Sequence, residues 1–257
     1  MARRKASIDD LRNSIDASLA KLAAKQGGLK VPIDLAEVCG IIGVDWELRW
    51  MVPEGVTAVV GNKLKIFIRS NFSEEQIADN RLRFTWAHEI CHALLYDLSS
   101  SPPKPAADTP KGAALEWLCQ NGAGYLLMPT REIRRIFNLS RPLSSIDDVL
   151  WLSKEFGASI EATIRRLKQE SDCLRAGYAI ILIRNQNGED EILSAAHDVW
   201  LKTLLPDFTR GTRFTECAKP FMSGAVQIGP DEWEKGSVRM RVAPISRYLS
   251  AAEFTQI

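Results

Sequence analysis

Two histidines, His88 and His92, stand four residues apart in the segment His88-Glu89-Ile90-Cys91-His92. On a helix this spacing places both imidazoles on one face, about one turn apart, so that they can bind one metal ion. Glu89 projects about 100° around the helix from His88, where its carboxylate can accept a proton from a zinc-bound water. The pattern therefore predicts zinc-assisted hydrolysis. The alternative is a surface helix with two solvated histidines, but two of the three histidines of the chain lie here.

The helix that carries this motif has its own start and stop signals. Ser73, with a glutamine three residues later, is typical of a capping box and predicts that the helix begins at Glu74. Apolar residues at helical spacing continue to Leu98, and the sequence SSSPP at 99–103 is expected to end the helix. We therefore expect the motif to lie within a long, partly buried helix.

A catalytic zinc ion normally has three protein ligands and one position for water, so a third ligand is needed. It cannot be the last histidine of the pattern H-E-x-x-H-x-x-G-x-x-H, because Leu95 and Leu98 occupy the glycine and histidine positions. Glu116 is the best candidate, since it belongs to a second segment with helical apolar spacing, at 116–129. Asp97, Asp108 or a cysteine would be the next candidates.

Two further residues are candidates for roles in the same site. Tyr96 would lie two turns beyond His88, where its hydroxyl could donate to a developing oxyanion or to the substrate; packing against the following loop is an equal alternative. Cys217 could occupy the open zinc position as an inhibitory thiolate ligand, although free cysteines are most often merely buried.

The two segments together resemble the ImmA/IrrE family of zinc metallopeptidases, on the motifs RFTWAHEICHALLY at 83–96 and EWLCQNGAGYLLMP at 116–129. The resemblance implies that His88, His92 and Glu116 bind Zn²⁺, with another divalent ion such as Mn²⁺ as an alternative, and that Glu89 is the general base. It also implies a site-specific endopeptidase whose protein substrate is a helix-turn-helix transcriptional repressor encoded nearby. Cleavage would switch on genes of stress response, DNA damage response or phage defence.

The resemblance extends upstream but is not uniform. VPIDLAEVCGIIGVDWE at 31–47 is similar to a helix and strand of the family, whereas Cys119, Gln120 and Gly122 stand where the family usually has Ala, Asn and Phe. AVVGNKLKIFIRSNF at 58–72 is independently typical of a β-hairpin with its turn at Gly61-Asn62. Residues 64–69 are a candidate edge strand for pairing with an extended substrate, although an internal strand is equally consistent with the pattern.

The patterns together predict an α+β protein. We expect a zincin-like metallopeptidase domain with the HExxH helix and a small β-sheet at 1–129, a helical unit at 130–172 that resembles a helix-turn-helix, and a small C-terminal α/β domain at 173–257. The last domain resembles a GAF domain only by position and predicted strands. The C-terminal domain is predicted from a hairpin at 178–195 and a strand at 237–242. The helical unit is predicted from three amphipathic helices, at 131–137, 145–155 and 159–170.

Composition limits the classes of partner. The chain has 257 residues, of which 46% are apolar and 25% charged, with a net charge of +1, so no global charge favours nucleic acid. No apolar run approaches the roughly 20 residues that cross a bilayer, and five cysteines without close pairing indicate reduced thiols. We therefore expect a cytoplasmic protein without membrane contact.

A second function class is a non-catalytic, metal-stabilised regulatory or DNA-binding protein, which the presence of Glu89 disfavours. If the chain is a peptidase, its C-terminal domain is expected to control activity through an activator, either single-stranded DNA or a small molecule. Several arginines of the helical unit could face DNA, although solvated helix ends are the commoner explanation. These arginines are Arg131, Arg134, Arg135, Arg165 and Arg166.

Overall fold

The structure is a computed structural model. It describes residues 6–70, 80–137, 141–174, 178–186, 189–197, 210–214, 216, 218, 226–229, 232–235, 238–246 and 249–256. The chain divides into two compact units, one of Met1–Pro129 with Lys154–Ser159 and the other of Thr130–Ser153 with Ile160–Ile257. In the described part of the chain, no helix combines the length and the apolar character that a membrane span requires.

The first unit contains four helices among its described residues, each with an apolar face that packs inward. They are α1 (Ile8–Gln26), α2 (Leu35–Ile42), α3 (Asn80–Leu94) and α4 (Ala113–Leu127). The first helix begins at a capping box, in which the Ser7 backbone N–H donates to the Asp10 carboxylate at 2.8 Å. It ends at Gly27 in the left-handed conformation, with φ +70°. Its buried stripe contains Leu11, Ile15, Leu19 and Leu22.

A three-stranded sheet accompanies these helices. Its strands are β1 (Asp45–Arg49), β2 (Gly55–Val60) and β3 (Lys63–Arg69), in the spatial order β1-β3-β2. β2 and β3 are antiparallel and are joined at Gly61-Asn62, which confirms the predicted hairpin, and β1 runs parallel to β3. The prediction of an edge strand at 64–69 is wrong, because β3 is the central strand. Its nearly continuous buried run, Leu64, Ile66, Phe67 and Ile68, is typical of a strand enclosed by neighbours.

The helix that carries the motif ends earlier than predicted. α3 stops at Leu94, and the chain then forms a short strand β4 (Tyr96–Asp97) that pairs with β5 (Lys104–Pro105). The loop folds back because the Leu95 carbonyl oxygen accepts hydrogen bonds from the Ala106 N–H at 2.9 Å and from the Thr109 hydroxyl at 3.0 Å. Local hydrogen bonding thus overrides the apolar spacing beyond Leu94. The predicted helix start at Glu74 lies outside the described residues.

Side chains of α1 and α3 pack closely against Gly122 of α4. A Cβ atom added at this position would lie 2.6 Å from Cδ2 of Leu11 and 2.8 Å from Sγ of Cys91. The space behind the ligand helix is therefore filled by those two side chains, which explains how the chain can carry glycine where the resemblance expects phenylalanine.

Three helices follow Pro129: α5 (Thr130–Ile136), α6 (Ile146–Phe156) and α7 (Ile160–Gln169). They belong to the second unit, except that the end of α6, from Lys154, belongs to the first. Their bounds agree with the predicted helices to within one residue. Ser145 caps the start of α6: its hydroxyl accepts from the Asp148 N–H at 3.2 Å, and the Asp148 carboxylate accepts from the N–H of Ser145 at 3.1 Å.

An antiparallel sheet follows. Its described strands are β6 (Tyr178–Gln186), β7 (Glu189–His197), β8 (Val226–Gly229), β9 (Glu232–Lys235), β10 (Val238–Ser246) and β11 (Leu249–Gln256). Their spatial order is β7-β6-β11-β10-β9-β8, so that the first hairpin pairs with the last strand. The predicted hairpin and the strand near 237–242 are confirmed. One face of the sheet carries an apolar cluster that includes Ile181, Ile192, Met240 and Phe254.

Four of the five helical arginines pair with acidic side chains. Arg166 is only 2% exposed, and its guanidinium contacts the Glu170 carboxylate at 2.9 Å and the Thr130 hydroxyl at 2.7 Å. Arg134 pairs with Asp172 at 2.8 Å. The remaining ion pairs are Arg135 with Glu132 and Arg165 with Glu161. The expectation that Arg166 faces DNA is therefore wrong, because its charge is neutralised inside the unit.

Candidate metal centre

Three side chains from two helices of the first unit converge on one point. His88 and His92 lie on α3 and Glu116 lies in the first turn of α4. The Nε2 atoms of the two histidines are 3.0 Å apart, the His88 Nε2 atom is 3.2 Å from Oε2 of Glu116, and the His92 Nε2 atom is 3.6 Å from Oε1 of Glu116. Among the described residues, these three form the cluster of metal-ligating side chains.

The spacing of these atoms fits a zinc ion. Tetrahedral coordination with bonds of about 2.0–2.1 Å places neighbouring ligand atoms about 3.3–3.4 Å apart, and the three observed separations of 3.0, 3.2 and 3.6 Å bracket that value. Two nitrogens and one carboxylate oxygen are also a donor set that zinc accepts in catalytic sites. A hydrogen bond between the two imidazoles would explain their contact, but not the convergence of Glu116 on both.

Burial prepares the histidines for metal binding. The side chains of His88 and His92 are 15% and 17% exposed, whereas that of Glu116 is 55% exposed. Desolvation lowers the pKa of both imidazoles, and the nearby Glu116 carboxylate opposes this shift. Neutral imidazole is the form that binds a metal. The exposed side of Glu116 leaves the cluster accessible from solvent.

Glu89 lies between the two histidines in the sequence and contacts strand β2. Its side chain is 8% exposed, and its carboxylate accepts a hydrogen bond from the Thr57 hydroxyl at 2.8 Å. Burial raises the pKa of Glu89, and the hydrogen bond from Thr57 opposes that rise. A carboxyl group whose pKa is moved toward neutrality is better matched to proton transfer than a fully solvated one.

The start of β2 is fastened to α3 on the same side. Glu54 contacts Arg69 at 3.4 Å and Arg81 at 2.5 Å, and its carboxylate accepts a hydrogen bond from the Thr85 hydroxyl at 3.3 Å. The neighbouring Gly55 brings the strand backbone against the helix, since a Cβ atom there would lie 2.7 Å from Cγ of Glu89. These contacts fix the distance between β2 and the helix that carries the motif.

Arg83 holds α3 to two other segments of the first unit. Its guanidinium donates to the Ile33 carbonyl oxygen at 2.9 Å and to the Gly157 carbonyl oxygen at 3.1 Å, and burial lowers its pKa. Asn80 adds a hydrogen bond to the Ala158 carbonyl oxygen at 2.9 Å. The motif helix is therefore positioned by backbone acceptors far away in the sequence.

The other candidate ligands lie in different surroundings. The Asp97 carboxylate accepts from the hydroxyl and the N–H of Ser99 at 2.6 and 3.0 Å. Cys91 and Cys119 are fully buried; burial raises the pKa of Cys119 to about 12 and that of Cys91 well above its ordinary value. Neither thiol belongs to the group of side chains whose ligand atoms converge, which is that of His88, His92 and Glu116.

The two further site residues of the sequence analysis remain predictions. Tyr96 lies in β4, paired with Pro105, and not on the motif helix, so the geometry that placed it two helical turns beyond His88 is wrong. Its proposed contact with an oxyanion no longer follows from helix geometry. Cys217 lies outside the described residues.

Thr57 and Gly55 are the site residues that sequence reasoning missed. Their spacing of two in a strand places both positions on one face of the sheet, and the same face carries their buried partners Ile66 and Ile68 on β3. That alternation was readable in the sequence. The sequence does not indicate which helix covers that face, because the contact with Glu89 joins segments that are separated by more than 30 residues.

Comparison with known proteins finds one family whose model matches part of this chain. Residues 65–168 match the family model of the IrrE N-terminal-like domain, Peptidase M78. No curated protein matches the chain. A solved structure, that of a Mycobacterium tuberculosis transcriptional regulator, covers 97% of this chain and 81% of its own with 13% identity and a TM-score of 0.48.

The match contains His88, Glu89 and His92 of the motif and the candidate third ligand Glu116. It runs from β3 into α7, and this part of the chain is similar to a metallopeptidase family, a class that uses a divalent metal, typically zinc, and acts on proteins. The His-His-Glu cluster is the group within this region that fits such a metal.

Proposed function

We propose that this chain, whose residues 65–168 form an IrrE N-terminal-like peptidase domain, is a zinc-dependent endopeptidase. The proposal rests on the convergence of His88, His92 and Glu116, whose ligand atoms lie 3.0 to 3.6 Å apart. Glu89 is buried on the adjacent side of the same helix as the two histidines. Zinc bound there would supply the positive charge that polarises a scissile carbonyl and acidifies a water. Mn²⁺ or another divalent ion is the alternative metal.

The residues have separate tasks in this proposal. The two imidazoles and the Glu116 carboxylate would hold the metal. Because Glu116 is half exposed, a water could reach the metal from solvent. Glu89, which the three ligands do not need, is the general base: its carboxylate accepts a proton during attack on the carbonyl and returns the proton to the leaving amine. Desolvation of Glu89 favours both steps, since it brings the pKa closer to the working pH.

The strand that could bind an extended substrate is β2 and not β3. β2 is one of the two outer strands of the described three-stranded sheet, and it contacts α3 through Gly55 and Thr57. A peptide paired along its free edge would pass the side of α3 that carries Glu89. Exposed apolar side chains at Val59, Val60, Trp50 and Val52 lie on this strand and on the loop before it.

We further propose that the substrate is a helix-turn-helix transcriptional repressor, cut at one site to switch on stress, DNA-damage or phage-defence genes. This part rests on the resemblance to the ImmA/IrrE family. The C-terminal part, GAF-like in the sequence analysis, would bind an activator, either a small molecule or single-stranded DNA. The pairing of the helical arginines with acidic residues lends the DNA alternative no support.

The proposal is tested with zinc-loaded protein and its Glu89→Gln variant. Each is incubated with a native lysate of the host cell, with and without single-stranded DNA, and new protein N-termini are identified by mass spectrometry. Glu89→Gln removes only the proton acceptor, so it should keep zinc and fold but reduce cleavage by about 10²- to 10⁴-fold. Termini that appear only with the unchanged protein identify the substrate.

Each outcome separates the parts of the proposal. Cleavage of a helix-turn-helix protein supports both the activity and the substrate, whereas cleavage confined to other proteins removes the repressor from the proposal. Equal cleavage by both proteins overturns the role of Glu89. If neither protein generates new termini under either condition, the non-catalytic, metal-stabilised regulatory or DNA-binding protein becomes the better explanation.

A further inference from the structure

The strand β2 contacts the proposed general base through a side chain that has no other assigned role. The Thr57 hydroxyl lies 2.8 Å from Oε2 of Glu89 and 3.0 Å from the carbonyl oxygen of the same residue. Because a hydroxyl has one proton, it donates to one of these acceptors at a time. In either orientation its oxygen stays beside the Glu89 carboxylate.

The other carboxylate oxygen lies against a position that has no side chain. A Cβ atom at Gly55 would be 2.9 Å from Oε1 and 2.7 Å from Cγ of Glu89. Real carbon atoms do not approach so closely, so any side chain at position 55 would displace Glu89 or Thr85, whose Cγ2 atom lies 2.8 Å away. Only glycine fits at position 55 without moving a neighbour, and the strand backbone there packs directly against the Glu89 side chain.

We propose that Thr57 is a positioning residue, which together with Gly55 holds the Glu89 carboxylate in the orientation that proton transfer requires. Thr57 itself contacts neither the metal ligands nor the substrate in this proposal and acts only through Glu89. The inference rests on the proposed peptidase function, because it assigns Thr57 a role in the reaction of the same site. A displacement of about 1 Å in a catalytic group can cost about 10²-fold in rate.

β2 is suited to this role because it is held both by pairing with β3 and by the ion pairs of the residue before it, Glu54. Thr57 is in register with Ile66 of β3, a fully buried residue, and the loop before β2 is anchored by the ion pairs of Glu54 with Arg69 and Arg81. The hydroxyl is thus presented by a strand with little freedom to move. The same strand offers its free edge to a substrate, so substrate pairing and base orientation depend on one element.

The test compares Thr57→Val with Thr57→Ser in the full-length, zinc-loaded protein. Valine keeps the shape but lacks the hydroxyl, and serine keeps the hydroxyl. The probe is a fluorogenic peptide that spans the cleavage site found with the unchanged protein. Thr57→Val should lower kcat by about 10- to 100-fold with KM and zinc content unchanged, and Thr57→Ser should remain within about threefold of the unchanged protein.

Two further variants separate positioning from packing. Ser18→Ala removes a buried hydroxyl of α1 that donates to the Ser14 carbonyl oxygen at 2.9 Å and not to Glu89, and it should keep kcat within about threefold. Gly55→Ala should lower kcat as Thr57→Val does, because the new Cβ displaces Glu89. Unchanged kcat in Thr57→Val, or an equal loss in Thr57→Ser, would overturn the proposal.

A substrate-free measurement distinguishes this inference from the function on which it rests. Urea unfolding of Thr57→Val is compared in the unchanged background and in a Glu89→Met background. The midpoint shift caused by Thr57→Val should shrink when the carboxylate is absent, because the two groups are coupled. Equal midpoint shifts in both backgrounds would show that Thr57 and Glu89 are not coupled, and would overturn the positioning proposal. Absence of any cleavage by the unchanged protein would instead overturn the peptidase function, and with it the significance of this positioning contact for a reaction.

Discussion

The Oε2 atom of Glu116 lies 3.2 Å from Nε2 of His88, although the two residues belong to different helices. The pair is brought together by the close packing of α3 against α4, which the absence of a side chain at Gly122 permits. Zinc affinity should therefore depend on a carboxylate that the HExxH motif does not contain.

Replacement of that carboxylate should release the metal. Loss of a residue that merely orients a ligand commonly costs about 10- to 100-fold in metal affinity, so Glu116→Ala, which removes a ligand, should cost at least about 100-fold. The measurement is zinc content after dialysis against a competing chelator. Trp117→Ala is the control, since Trp117 is the next residue on α4 and is 58% exposed. Retention of zinc by Glu116→Ala would place the third ligand elsewhere.

The turn between α6 and α7 should tolerate no side chain at Gly157. The residue has φ +58°, and an added Cβ would lie 2.8 Å from Nε of Arg83, which donates to the carbonyl oxygen of Gly157 itself. Backbone strain of about 1–2 kcal/mol and displacement of the guanidinium should both lower the free energy of unfolding of Gly157→Ala, measured by chemical denaturation.

Gly43→Ala is the matched variant for that experiment. Gly43 has φ +77° and no atom within 4 Å of an added Cβ, so it carries the strain without the contact. The excess destabilisation of Gly157→Ala over Gly43→Ala measures the Arg83 contact. Equal destabilisation would show that Arg83 adjusts at no cost.

Glu253 should make the stability of the second unit depend on pH. Burial raises its pKa above the ordinary value of about 4.5, with Asp147 and Asp148 adding to the rise and the charge of Arg241 opposing it. The folded state then holds a proton that the unfolded state has lost. Stability from this group is present below about pH 4.5 and is lost as the pH rises through the raised pKa.

Glu253→Gln should remove this part of the pH dependence. Glutamine stays neutral and keeps an oxygen acceptor for the Ile146 N–H, which donates to the Glu253 carboxylate. Relative to the unchanged protein, the variant should gain stability above the raised pKa in a series of unfolding curves from pH 4 to pH 8. Glu191→Gln, on the exposed pair of Glu191 with Arg184, should keep the original slope. A parallel shift of the Glu253→Gln curve at all pH values would contradict the assignment.

Much of the local structure was determined by the sequence. The spacing of His88, Glu89 and His92 predicted one metal-binding face because helix geometry alone sets it, and Gly61-Asn62 predicted the hairpin turn through its backbone preferences. The helices of the second unit followed from their apolar periodicity. All of these signals act between residues that are close in the chain.

Only the tertiary structure decided which distant groups meet. The central place of β3, the end of α3 at Leu94, the burial of Arg166 and the contact of Thr57 with Glu89 each depend on a partner from another segment. Apolar periodicity marks a face as buried without stating what covers it. Long-range packing supplies that partner, and here it sets the surroundings of the carboxylate on which the proposed chemistry depends.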